Sequence, residues 1–213
     1  STHVVVNDLI GPDFDGVASL HLDPRGRPSY IARRGEQAWV VRHGELDGPF
    51  DNAAELVSDA RGERIVALVR SEEGWRADDG SWASEAFDYI GDLRFSRTGQ
   101  LAFRAGREDG DLIVVEERVL GPYPEVKPGS LAFRGNDEVV FAVKSSEGVR
   151  LLGDRMASEA WSEITEIATD PLGRVGFIGR RADSTFVVVI DGVERGGWSY
   201  AGDLVLGQRG SEA

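Results

Sequence analysis

Apolar positions along this chain repeat with a period of about 37 residues. One aromatic position recurs at steps of 36, 37, 36, 38 and 37 residues. These anchor aromatics are Phe14, Phe50, Phe87, Tyr123, Trp161 and Trp198. Spacing this regular indicates one structural unit repeated along the chain.

Two further apolar registers follow each anchor aromatic. The first, six to eight residues on, is Leu20, Leu56, Leu93, Leu131, Ile167 and Leu204. The second, ten residues later, is Tyr30, Val66, Phe103, Phe141 and Phe177. Between them lies a turn sequence such as DPRG at residues 23–26 or DPLG at residues 170–173. Asp, Pro and Gly stabilise tight turns, so each unit is predicted to begin with two short strands and a turn.

A third apolar run completes the pattern of each unit. Runs such as AWVV, LIVV and FVVVI are rich in β-branched residues and end near pairs such as His43-Gly44 and Asp191-Gly192. Such pairs between strand-like runs predict hairpins, and a short fourth strand then leads to the next anchor. Residues 155–166 also fit a helix, but Trp161 lies in the repeat register, which favours a strand.

Units of four short strands at this period are typical of the blades of a β-propeller. We therefore predict an all-β fold with one domain over residues 1–213 and five full blades over about residues 17–201. Residues 1–15 and 202–213 are expected to form a partial sixth blade, closed by pairing the N- and C-terminal strands. A five-bladed ring with trailing ends is the alternative. Small apolar residues alternate with the Leu register, which predicts a second packed face on each first strand: Val57, Ala132, Ala168 and Val205.

The opening of the chain resembles a known repeat family. Residues 4–41, with the DPRG turn followed by the strand YIA, resemble the TolB-type, WD-like propeller repeat. The turns SRTG at residues 96–99 and DARG at residues 59–62 lack its proline, and RGND at residues 134–137 departs further. The resemblance implies a propeller over nearly the whole chain. It implies no activity, because such repeats occur in periplasmic scaffold proteins, peptidase accessory domains and many bacterial proteins of other kinds.

Composition and charge narrow the class of partner. The 213 residues include 37 acidic and 24 basic ones, for a net charge of −13, and there is no cysteine. An acidic surface repels phosphate backbones and anionic lipid, so we expect neither nucleic acid nor a membrane surface as partner. Without cysteine there is no disulfide, no thiolate metal site and no cysteine nucleophile. No run approaches the roughly 20 apolar residues of a membrane span, and the compartment, cytoplasmic or periplasmic, stays open.

The sequence contains no standard catalytic signature such as G-x-S-x-G, a P-loop or H-E-x-x-H. The three histidines, His3, His21 and His43, lie in different units or strands, so we predict no metal site from them. Asp15, Asp51 and Asp88 each follow an anchor aromatic directly. A ring of these carboxylates would hold Ca²⁺ or a basic peptide; alternatively, each caps its own turn.

Three further residues are candidates for ligand binding. His21 and Arg94 break the small apolar pattern of the first strands. They are predicted to project toward the axis and bind an anion or a ligand carboxylate; an acidic partner between blades is the alternative. Trp82 follows Asp79-Gly80 off the repeat register and is expected to be the exposed aromatic that contacts a partner.

From these features we expect a non-catalytic binding or scaffolding propeller that recognises a protein, a peptide or a small ligand. The expectation includes no catalytic residue, no cofactor other than a candidate Ca²⁺, and a monomer, with a strand-swapped dimer as alternative. Two other functions stay open. One is a propeller enzyme, either a glycosidase or a Ca²⁺-dependent lactonase-like hydrolase; the other is an accessory domain of a larger hydrolase.

Overall fold

The computed structural model describes residues 2–6, 9–135 and 137–207, and the regular elements in these ranges are all β-strands. The strands are β1 (Val5–Val6), β2 (Leu9–Ile10), β3 (Gly16–Leu22), β4 (Pro28–Arg34), β5 (Gln37–Arg42), β6 (Glu45–Phe50), β7 (Asn52–Ser58), β8 (Ile65–Ser71), β9 (Gly74–Asp78), β10 (Tyr89–Phe95), β11 (Leu101–Arg107), β12 (Gly110–Val115), β13 (Arg118–Tyr123), β14 (Ala132–Arg134), β15 (Glu138–Ser145), β16 (Gly148–Gly153), β17 (Met156–Ala157), β18 (Glu163–Thr169), β19 (Val175–Arg180), β20 (Phe186–Ile190) and β21 (Val193–Trp198). In the described ranges no helix has the length and apolar character needed to cross a bilayer. The all-β prediction is confirmed.

The strands form antiparallel sheets in strict chain order. After the two-stranded sheet β1–β2 come unit 1 (β3–β6), unit 2 (β7–β9), unit 3 (β10–β13), unit 4 (β14–β17) and unit 5 (β18–β21). Within each sheet, every strand pairs with the next one along the chain, as in the blades of a propeller. The helical alternative for residues 155–166 is wrong, because β17 and the start of β18 occupy them.

Unit 2 differs from the predicted four strands. Its last segment makes only the isolated bridges Asp78↔Ala83 and Trp75↔Phe87. A side-chain oxygen of Asp79 accepts the backbone N–H groups of Ser81 and Trp82, at 2.9 and 2.8 Å. Further along, the Ser84 hydroxyl rather than a backbone carbonyl accepts the Ala77 N–H at 3.0 Å, so the ladder along β9 is interrupted and a continuous fourth strand does not form.

The anchor aromatics occupy one structural position throughout. Each ends the last segment of a unit and pairs with the residue twelve positions earlier, at the start of the third strand. The pairs are Thr2↔Phe14, Ala38↔Phe50, Trp75↔Phe87, Asp111↔Tyr123, Val149↔Trp161 and Phe186↔Trp198. The sequence repeat is therefore a structural repeat, and β1–β2 correspond to the third and fourth strands of a unit.

The core lies between successive sheets. Five apolar clusters each join residues of one sheet to residues of the next. Four anchors pack edge-on or tilted against the second-strand aromatic of the following unit, with ring centroids 5.2–6.3 Å apart: Phe14–Tyr30, Phe87–Phe103, Tyr123–Phe141 and Trp161–Phe177. Interdigitation of this kind shields both faces of each inner sheet from water.

The sixth anchor does not follow this rule. Trp198 is 47% exposed, whereas Phe14, Phe87 and Trp161 are 2–4% exposed. Leu20, the first member of the Leu register, is 56% exposed, although Leu93 in unit 3 packs against unit 2. Both exposed residues lie at the ends of the array, where a further complete sheet would supply their neighbours.

The two ends of the chain resemble parts of one more unit. Residues 201–207 form no strand, but the N–H groups of Asp203 and Leu204 donate to the Glu166 carboxylate at 3.1 and 2.7 Å. This places them beside β18, where the first strand of a following unit would lie. Among the described residues, no strand pairing joins this segment to β1–β2. Residues 208–213, part of the predicted closing blade, lie outside the described residues.

Candidate functional site

The first strands of units 2–5 end around a common cavity of about 630 Å³. Each of these units contributes to its wall, for example through Ser58, Phe95, Ala132 and Thr169. We call it the first-strand cavity. Val57, Arg94 and Ala132 line it. Two of the four positions predicted to form a second packed face, Val57 and Ala132, therefore border this cavity instead, whereas Val205 is 81% exposed.

Side-chain hydrogen bonds connect neighbouring first strands at the cavity wall. The Ser58 hydroxyl lies 2.9 Å from Nε2 of His21, which links units 1 and 2. The Thr169 hydroxyl donates to the Phe133 carbonyl at 2.7 Å, which links units 4 and 5. His21 is half-buried, and its partner is a hydroxyl rather than the acidic side chain considered as the alternative.

The turns after the first strands are held by acids that face inward. Asp170 is 5% exposed; it accepts the N–H groups of Leu172 and Arg174, both at 2.9 Å, and the Arg174 guanidinium at 2.6 Å. Burial alone would raise the pKa of Asp170, but these bonds outweigh burial and lower it. Asp170 therefore stays ionised and committed to its own turn.

Guanidinium groups outnumber carboxylates among the residues that line the cavity. Its lining includes three guanidinium groups, Arg94, Arg97 and Arg134, and two carboxylates, Asp137 and Asp170. Arg134 is paired with Glu138 at 2.6 Å. Arg94 and Arg97 are exposed, and neither forms an ion pair or side-chain hydrogen bond with another described residue. Two guanidinium groups are thus available at the cavity of a protein whose net charge is −13.

A second series of acidic side chains forms hydrogen bonds between neighbouring units, each carboxylate accepting a backbone N–H group of the unit that follows. Asp92 accepts the Gly129 N–H at 2.9 Å, as Glu166 accepts that of Leu204. Five residues at corresponding positions share a left-handed backbone: Ser19, Glu55, Asp92, Gly129 and Asp203. The first strands of units 1, 2, 3 and 5 also have a register shift at this point. The resulting bulge exposes N–H groups that the preceding unit's carboxylate accepts. Burial and the charge of Asp92 raise the pKa of Glu55, opposed by a bond from the Leu93 N–H and the charge of Arg94.

The predicted acid ring lies elsewhere. Asp15, Asp51 and Asp88 directly precede the first strands, at the ends remote from the first-strand cavity, and all three are exposed. Asp15 accepts the Gly35 N–H at 2.7 Å, in the turn between β4 and β5 rather than in its own turn. In the described ranges, no group of three or more His, Asp or Glu side chains is arranged to hold a metal ion.

Trp82 is half-buried rather than exposed, which corrects the expectation from sequence. It packs against the apolar cluster between units 2 and 3, and the Arg64 guanidinium carbon lies 5.3 Å from its ring centroid. The most exposed aromatic side chain among the described residues is Tyr200, at 77%. Sequence reasoning missed Arg97 and Arg134, because both fall in or beside turns where charged residues carry no distinctive signal.

Comparisons with known proteins do not assign a family. No family model matches the sequence, and no curated protein matches it. Among solved structures, a catalytically inactive virginiamycin B lyase from Staphylococcus aureus with quinupristin matches at 9% identity and a TM-score of 0.43. That match covers 92% of this chain and 76% of the lyase chain. A gluconolactonase-like protein matches at 14% identity and a TM-score of 0.37, over 86% of this chain and 78% of the other. Values this low do not support an argument about the activity of this chain.

Proposed function

We propose that this chain is a non-catalytic binding propeller that recognises an anionic group in the first-strand cavity. The observation that carries the proposal is the pair of exposed guanidinium groups, Arg94 and Arg97, beside a cavity of about 630 Å³. Guanidinium groups bind carboxylates bidentately and lose less solvation than ammonium groups do. The expected ligand is a small carboxylate or the carboxylate of a peptide.

The surroundings of the cavity suit binding better than acid–base chemistry. Asp170 accepts three hydrogen bonds within its own turn and its pKa is lowered, so it is a poor general acid. Asp137 accepts the Thr98 hydroxyl. His21 is hydrogen-bonded to Ser58 at the wall.

We further infer that the array closes into a ring of six units of the TolB-like kind, with the first-strand cavity on its axis. The two ends of the chain support this inference. Strands β1–β2 occupy third- and fourth-strand positions, and residues 202–206 lie beside β18, where the first strand of a following unit would lie. A closed ring would place the remaining wall, from unit 1 and the composite unit, opposite Arg94.

The test uses citrate as a carboxylate probe. We expect citrate to raise the melting temperature of the unaltered chain by several degrees more than sodium chloride at the same ionic strength. In the double variant Arg94→Gln/Arg97→Gln, citrate affinity should fall at least tenfold, since a hydrogen bond to a charged group is worth about 1.5–3 kcal/mol.

Arg195→Gln is the matched control, because Arg195 is an exposed arginine on β21, the last strand of unit 5, and does not line the cavity. It should leave citrate binding unchanged. Equal loss in the control and the double variant, or no loss in the double variant, would contradict an anion site at Arg94 and Arg97.

A further inference from the structure

Units 2 and 4 share a local structure that is absent from units 1, 3 and 5. Residues 84–87 read SEAF and residues 158–161 read SEAW, 74 residues apart. In both, the serine hydroxyl accepts a backbone N–H of the third strand: Ser84 from Ala77 at 3.0 Å and Ser158 from Leu151 at 2.9 Å. The interfaces that follow these two units can therefore be compared position by position.

At both interfaces the residue at the Trp82 position packs against the apolar cluster, and a cleft of about 600 Å³ also lies beside Trp82. Trp82 lies against the apolar cluster between units 2 and 3. The residue 74 positions later is Met156, and here a cleft of about 600 Å³ lies between units 4 and 5. Trp161, Val175, Phe177 and Val189, all 4–5% exposed, form its apolar floor. We call it the unit 4–5 cleft.

The rim of this cleft is negative. Glu159, Asp191 and Glu194 line it against a single guanidinium, that of Arg134. Arg134 is paired with Glu138, and Glu194 with Arg181. Glu159 and Asp191 form no ion pair with another described residue, although Asp191 accepts the Val175 N–H at 3.1 Å. Two carboxylates at the rim are thus available to a cation.

The floor contains a polar atom that lacks a partner. Nε1 of Trp161 is buried and has no hydrogen-bond acceptor among the described residues. This N–H gains no partner from a cationic ligand, because guanidinium, amidinium and ammonium groups carry no acceptor; Trp161 contributes apolar surface to the floor.

We propose that the unit 4–5 cleft binds an organic cation, a guanidinium, amidinium or ammonium group on an apolar stem. The stem lies on the floor of Trp161, Phe177 and Val189, and the charged head lies between Glu159 and Asp191. An apolar ligand without charge would leave the rim carboxylates unused, and an anion would be repelled by them. An arginine or lysine side chain of a peptide has this chemistry. The unit 4–5 cleft shares Arg134 with the first-strand cavity but has the opposite charge preference.

Benzamidinium is the probe, with neutral benzamide and anionic benzoate as shape-matched comparisons. The readout is the indole N–H resonance of Trp161 in ¹H–¹⁵N spectra, identified among the five tryptophans by substitution. We expect benzamidinium to shift this resonance saturably, with an affinity at least tenfold above that of benzamide, and benzoate to leave it unchanged. Equal affinities for benzamidinium and benzamide, or no shift with benzamidinium, would overturn the proposal.

Two variants locate the site. Met156→Trp places a larger ring at the cleft and should weaken the benzamidinium shift by occupying part of it. The double variant Glu159→Gln/Asp191→Asn keeps the shape and the acceptor for the Val175 N–H, and should lower benzamidinium affinity at least tenfold while leaving benzamide unaffected. Val119→Trp, at an exposed position of β13, is the control and should bind as the unaltered chain does. Undiminished binding in either cleft variant would contradict the assignment.

Discussion

At the scale of single residues, the turn acids are the clearest case of a side chain that determines local structure. Asp23 is 5% exposed in the DPRG turn. One oxygen accepts the N–H groups of Arg25 and Arg27, both at 2.8 Å, and the other accepts the Arg27 guanidinium at 2.7 Å. Asp170 repeats this pattern in DPLG, so the sequence motif and the hydrogen-bond pattern recur together.

The Asp23 turn predicts a pH dependence of stability. Burial would raise the pKa of Asp23, but hydrogen bonds from Arg27 and Arg25 lower it from 3.8 to about 2. A carboxyl whose pKa is lower in the folded state stabilises the fold above pH 4, and that contribution is lost as pH falls toward 2. We expect Asp23→Asn to melt at a lower temperature than the unaltered chain at pH 7, with the difference shrinking between pH 4 and pH 2. A constant difference across that range would exclude this role.

At the scale of elements, the anchor aromatics show how one register position has different energetic roles. Trp161 is 4% exposed and packs against Phe177 of the next unit, and a Cβ added at Gly179 would lie 2.4 Å from its ring. Trp198 has the same place in its own sheet but is 47% exposed. The register identifies the position, and the neighbouring sheet determines the burial.

This contrast gives a paired stability prediction. Trp161→Ala should lower the free energy of unfolding by about 3–5 kcal/mol, the range for loss of a buried large aromatic. Trp198→Ala should lower it by less than about 1 kcal/mol, as expected at an exposed site. Urea unfolding monitored by circular dichroism measures both. A loss below about 1 kcal/mol for Trp161→Ala would show that Trp161 is not a plug between sheets.

At the scale of the whole molecule, ring closure is the property on which the axial position of the first-strand cavity depends. Corresponding positions of successive first strands are about 37 residues apart along the chain. Asp203 occupies the position that follows Glu166 of unit 5, and its N–H donates to the Glu166 carboxylate. In a closed ring, the next bulge after Asp203 is that of Ser19 in unit 1. The natural chain has no cysteine, so an engineered pair reports on this contact alone.

We expect Ser19→Cys/Asp203→Cys to cross-link within one molecule on treatment with a short bis-maleimide. Glu55→Cys/Asp92→Cys, at neighbouring bulges of units 2 and 3, is the positive reference. Cross-linked dimers, separated by size-exclusion chromatography, would indicate strand swapping between two chains. No cross-link at residues 19 and 203, with a full yield in the reference pair, would contradict closure.

The sequence alone determined the repeat, the strand class and the turns. These depend on local chemistry: β-branched runs favour strands, and Asp or Ser beside Gly satisfies the N–H groups of a tight turn. The anchor at residue 161 correctly excluded a helix there. His21 and Arg94 were recognisable as candidates because they replace small apolar residues at a repeated position.

Only the tertiary structure decided which of these side chains meet. Arg97 joins Arg94 at the first-strand cavity because four first strands converge there, a contact between units that no single repeat encodes. Trp82 is half-buried because it packs against the apolar cluster between units 2 and 3, and Met156 at the equivalent position packs beside the unit 4–5 cleft. Burial and charge pairing arise between sheets that are distant in sequence, so the repeat predicts the elements but not the sites between them.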